Sequence, residues 1–139
     1  MDAPHLAARV GIAVTILGVA VAVLVWAPWA SSERVSKWEP TVRALCDATT
    51  SVERGQLPAA RVAFHNRVHA PLHRLAADVA ERDRSVAAGL LEAKEEVEAV
   101  IDAPQKTDLS SKLRRLAAQT RSAARILDEP VRVSCGAGQ

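Results

Sequence analysis

The stretch Val10–Ser32, VGIAVTILGVAVAVLVWAPWASS, contains no charged side chain and is built almost entirely from Val, Ile, Leu, Ala, Gly and Trp. Roughly twenty residues of helix, at ~1.5 Å each, span the ~30 Å hydrocarbon core of a bilayer. The stretch therefore predicts a transmembrane helix over residues 10–30. A cleaved signal peptide fits less well: the apolar run is longer than a signal core, and Pro28 spoils the small-residue cleavage positions around Ala27 and Ala30. Ahead of it lies a short tail, residues 1–9, and behind it a linker, residues 31–36.

Within the predicted anchor, Gly11, Thr15, Gly18 and Ala22 recur at helical spacing and place small residues along one face. Small faces let membrane helices approach closely. The expected partners are accordingly the lipid bilayer and one or more other transmembrane subunits. Trp26, Trp29 and Trp38 read as an interfacial aromatic belt where the helix leaves the membrane.

Beyond the anchor about 105 residues remain, enough for one domain. Ala, Val and Leu dominate them, Phe64 is the only Phe, and the chain has no Tyr. That composition predicts an all-α fold and argues against a sandwich or barrel. It also offers no base-stacking platform, and a formal charge of +2 does not suggest a nucleic-acid partner.

The apolar stripes predict an antiparallel helical bundle over residues 37–128. A first helix, 37–54, starts at a Ser36–Glu39 capping box, carries Val42, Leu45, Thr49 and Val52, and stops at Gly55. A second starts at Leu57-Pro58 and carries Phe64, Val68, Leu72, Leu75 and Val79, with a kink or break expected near Ala70 because of Pro71. Asp83 or Ser85 caps a third, with Val86, Leu90, Val97 and Ile101. Thr107 or Asp108 caps a fourth, with Leu109, Leu113, Leu116, Thr120, Ala123 and Leu127. Four segments follow if the chain reverses at residues 81–85; a three-helix arrangement follows if 58–102 is one bent helix. Residues 129–139 read as an extended strap.

Two cysteines, Cys46 and Cys135, fit no close-spaced metal or redox pattern and read as one disulfide. An even number of antiparallel segments returns the strap toward the end where the first helix begins, within reach of Cys46. A disulfide places the domain on the extracytoplasmic side of the cell membrane, as a single-pass protein. The basic residues pull the other way, because Arg34, Lys37 and Arg43 outnumber Arg9. The cysteine pair decides, since that charge bias is small.

One cluster has metal-ligand character: His65, His69 and His73, spaced four apart in FHNRVHAPLH. Neighbouring members of such a row can chelate Zn or Cu, but the outer two lie roughly 12 Å apart on a straight helix. At the margin of an apolar stripe they also serve as amphipathic cover. Acidic residues crowd the third segment (Glu92, Glu95, Glu96, Glu98, Asp102) and basic ones the fourth (Lys112, Arg114, Arg115, Arg121, Arg125), predicting facing rows of opposite charge. No Gly-rich phosphate loop, G-x-S-x-G, H-E-x-x-H, C-x-x-C-H or Glu-x-x-His pattern is present. The expectation is a non-enzyme without cofactor or small-molecule substrate: a membrane-anchored accessory or interaction subunit. The alternative is a tethered metal-binding module built on the three histidines.

Overall fold

A computed structural model describes residues 35–103 and 108–136. The predicted anchor, 10–30, and its Gly11, Thr15, Gly18 and Ala22 face lie outside the described residues. Among the described residues no helix is long and apolar enough to cross a membrane.

Five helices and no strand are found among the described residues: α1 (Glu39–Glu53), α2 (Leu57–Arg67), α3 (His69–Ala80), α4 (Arg84–Ile101) and α5 (Leu109–Ile126). Helices α2 and α3 are two halves of one bent segment, so the bundle has the four segments expected of it. Each segment packs on its chain neighbours, and α1 also packs along α5, which closes the ring. The chain reverses at 81–83, where the amides of Arg82 and Asp83 both donate to the Val79 carbonyl. That reversal excludes the three-helix alternative.

The apolar stripes read from the sequence form the core. Val42, Leu45, Phe64, Val68, Leu72, Leu75, Val79, Leu90, Val97, Ile101, Leu113 and Leu116 are fully buried. Alanines fill the spaces between them, Ala44, Ala48, Ala60, Ala123 and Ala124 among them, as expected where helices approach through small side chains. Thr49 and Thr120 lie in the same stripes, and each satisfies its hydroxyl on the carbonyl four residues back, at 2.8 Å.

The helix ends follow local chemistry. At the end of α1 the Gly55 amide donates to Val52 and the Gln56 amide to Ser51, with Gly55 at φ +73°. This paired closure needs a left-handed residue, which glycine adopts without strain. The end of α5 repeats it with Asp128 at φ +59°: Asp128 donates to Arg125 and Glu129 to Ala124. Asp83 caps α4, accepting from the Ser85 and Val86 amides at 2.9 and 3.0 Å. The Val86 and Ser85 bonds hold its carboxyl below the usual aspartate range, outweighing desolvation. Asp83→Ala should lower the melting temperature by a few degrees and Asp83→Asn by less, because Asn keeps the acceptor. The charge-dependent part of the cap's contribution is present above the ordinary aspartate value and is lost as pH falls through the lowered folded value. Thermal melts of the three proteins across acid pH check both statements.

Three expectations are corrected. The Ser36–Glu39 capping box does not form: Trp38 occupies the cap position without a side-chain bond, the Ser36 hydroxyl donates to the Glu129 carbonyl at 3.0 Å, and Glu39 accepts from Arg43. The Ser36 oxygen accepts from the Trp38 amide at 3.2 Å instead of from Glu39, while its hydrogen goes to a partner 93 residues away. Trp38 is 5% exposed and belongs to the bundle core, not to an aromatic belt. The break in the second segment falls at Val68 (φ −118°, ψ −48°), not at Ala70. Pro71 has no N–H for the Arg67 carbonyl and its ring crowds that carbonyl, so the distortion appears three residues upstream. The Val68 and Leu72 amides still donate to Phe64 and Val68, so hydrogen bonding continues through the break.

Residues 129–136 are non-helical, as the strap reading expects. Val131, Val133 and Cys135 pack on the core while Arg132, Ser134 and Gly136 face out, the alternation of an extended chain on a helix. The strap starts beside Ser36 and ends in a Cys46–Cys135 disulfide with Cα atoms 4.9 Å apart. From Ser36 to Cys46 a helix rises ~15 Å, and six extended residues cover ~20 Å. The strap is therefore long enough to run alongside α1.

Candidate functional site

The most unusual chemistry lies between α3 and α4. Lys94 is 3% exposed, buried in the centre of the α4 stripe formed by Ala87, Leu90, Val97 and Ile101. Its ammonium donates to both oxygens of Glu98, one turn on, at 2.7 Å each. Glu98 in turn lies 2.6 Å from Nδ1 of His69 on α3. Burial pushes the Glu98 carboxyl up, but the Lys94 and His69 bonds and the Lys94 charge outweigh it and hold the carboxyl below its usual range. The signal for Lys94 was in the sequence: Leu90 and Val97 are one heptad apart, and Lys94 fills the stripe position between them.

The three histidines do not form one site. His65 Nε2 is 3.6 Å from Asp102, which Arg61 also contacts at 3.3 Å while donating to the Ile101 carbonyl at the end of α4. His69 belongs to the Lys94–Glu98 group, and His73 meets His69 edge-on with ring centroids 4.9 Å apart. The break at Val68 separates His65 from the other two. Among the described residues no group of three or more His, Cys, Asp or Glu side chains could hold a metal ion. The arrangement pairs His65 and His69 each with a carboxylate, across α2, α3 and α4, and leaves His73 against the His69 ring.

The expected facing charge rows are only partly formed. Glu96 accepts from Arg115 at 2.9 Å and lies 3.7 Å from Lys112, joining α4 to α5. Arg114 instead reaches Glu53 on α1, and Glu98 and Asp102 turn toward α2 and α3.

A second feature is a groove of about 530 Å³ between the start of α1 and α3, lined by Trp38, Pro40, Pro71, Ala77 and the cations Lys37, Arg67 and Arg74. Lys37 stands 4.9 Å above the Trp38 ring and 3.4 Å from both Asp78 and Glu129. Desolvation pulls its ammonium down, but the bonds and charges of Glu129 and Asp78 raise it above its ordinary value. The buried Trp38 indole N–H has no acceptor among the described residues. Sequence reasoning missed the groove because its walls come from segments some thirty positions apart.

Comparison of the chain with protein-family models, curated proteins and solved structures returns no match. Function therefore rests on the residues themselves.

Proposed function

We propose that this chain is a single-pass membrane-anchored accessory or interaction subunit, its bundle stapled by Cys46–Cys135 on the extracytoplasmic side. The observation that carries the reading is the sequence of parts: an uncharged, membrane-length stretch at residues 10–32 runs within a few residues into a disulfide-bonded bundle. A disulfide persists in an oxidising compartment. The buried charges of the bundle are engaged with one another, an arrangement suited to holding a shape for a partner. The small-residue face of residues 11–22 is then the contact with another transmembrane subunit.

Three measurements test this. The chain should stay in the pellet on alkaline carbonate extraction of membranes. Cys46 and Cys135 should resist alkylation in intact cells until a reductant is added. Purification in mild detergent should bring down stoichiometric membrane partners, and replacing Gly11 and Gly18 by Leu should release them. Carbonate-soluble protein, or a monodisperse monomer, would end the proposal.

A further inference from the structure

The groove between the start of α1 and α3 lies close in sequence to the uncharged stretch. Val35, 73% exposed, lines a smaller recess of about 310 Å³ that shares Pro40 and Arg67 with the main groove and adds Arg43. From Ser32 to Lys37 the chain can extend no more than ~18 Å. A chain that leaves the bilayer near Ser32 can therefore bring Lys37 to the headgroup layer, the ~5–8 Å zone on either side of the hydrocarbon core.

Charge selects the occupant. Across both recesses Lys37, Arg43, Arg67 and Arg74 face two lining carboxylates, Glu39 and Asp78. Lys37 is held by Asp78 and Glu129, Arg43 by Glu39, and Arg67 by Asp47 at 3.2 Å. Arg74 forms no ion pair among the described residues, yet it lines the groove beside Pro71 and Ala77. An excess guanidinium over an apolar floor fits a ligand with an anionic phosphate joined to a less polar body.

We propose that this groove binds the headgroup of an anionic phospholipid such as phosphatidylglycerol, Arg74 and Arg67 taking the phosphate and Trp38 and Pro71 lying under the glycerol. The proposal rests on the anchor reading for its location, but the groove's chemistry stands apart from it. Guanidinium groups bind phosphate through paired, charge-assisted hydrogen bonds.

The test uses the full chain in a nonionic detergent, with Trp26→Phe and Trp29→Phe so that Trp38 is the sole fluorophore. It is titrated with dihexanoyl phosphatidylglycerol and, separately, with dihexanoyl phosphatidylcholine. Saturable change with the first and little with the second is the expected result. Arg74→Gln should weaken binding about tenfold, the loss of one charge-assisted contact. Arg54→Gln, at the far end of α1, should leave it unchanged. Equal response to both lipids, indifference to Arg74→Gln in a variant with wild-type circular dichroism, or binding of an acidic peptide in place of the lipid would overturn the proposal. Because the lipid is presented in solution, a failed anchor in the carbonate experiment leaves this readout intact.

Discussion

Reducing the Cys46–Cys135 bond, or replacing both cysteines by Ser, should lower the stability of the domain by about 4–5 kcal/mol. The figure comes from the loop that the bond closes. Its ends are 89 residues apart, so nearly the whole bundle lies within it. Loop-closure entropy removed from the unfolded chain then approaches the upper end of the usual disulfide effect. A domain of this size has only about 5–15 kcal/mol in total, so the loss is a large fraction. Urea unfolding of the full chain in mild detergent, followed by circular dichroism with and without reductant, measures it. On heating, the same change corresponds to a drop on the order of 20 °C. The strap should also detach locally, because Val131 and Val133 pack on the core only as part of the tethered segment. Hydrogen exchange at residues 131–135 should rise before the helices lose protection. Equal urea midpoints for the oxidised and reduced proteins would mean that the bond contributes nothing to the fold.

What the sequence discloses, and what it conceals, divides along the range of the interactions. Stripes at helical spacing located the core side chains, because burial of one helix face leaves a periodic trace within a single segment. Gly55 and Asp83 were readable for the same reason: a left-handed closure and an Asx cap are set by residues within one turn of themselves. The disulfide was readable because only two cysteines exist and the topology brings them together. Trp38 was misread because two neighbouring tryptophans suggested a belt, while its burial depends on contacts with other segments of the bundle. Ser36 was misread because its hydroxyl oxygen accepts from the Trp38 amide, two residues on, while its hydrogen goes to the strap's Glu129 carbonyl, and the helix begins beyond it with Trp38 as the cap. The groove and the pairing of Arg114 with Glu53 arise from the packing of separate segments, which no local pattern encodes. The anchor face, though the first feature to stand out in the sequence, falls outside the described residues.

The second large effect is expected at Lys94 and Glu98, and its asymmetry is the informative part. Glu98→Ala should cost about 3 kcal/mol, because it strands the Lys94 ammonium in the core; removing one member of a buried pair is usually worth 3–5 kcal/mol. The lower end applies because the Glu98 side chain keeps 29% of its surface in water. Lys94→Met should cost no more than about 1 kcal/mol, since Met replaces the aliphatic stem and Glu98 retains both solvent and His69. The double variant Lys94→Met/Glu98→Ala should cost about 1 kcal/mol, against about 4 kcal/mol for the two single costs added, so the cycle reports a coupling of about 3 kcal/mol between the two positions. Acid should erase the difference in a set order. The folded Glu98 carboxyl titrates below its ordinary value of 4.5, so its contribution is complete above that value. It is lost as pH falls through the lowered folded value. At neutral pH this group therefore adds no slope to the stability profile. Urea midpoints for the four proteins, at neutral pH and through the acid range, give the result; a Glu98→Ala cost below about 0.5 kcal/mol would place the pair among ordinary surface contacts. If the double variant keeps its stability but loses near-ultraviolet dichroism, the polar pair serves to fix the register of α4 against α3, the use for which single polar residues in apolar helix seams are best attested. Unchanged dichroism would leave shape complementarity of Leu90, Val97 and Ile101 as sufficient to set that register.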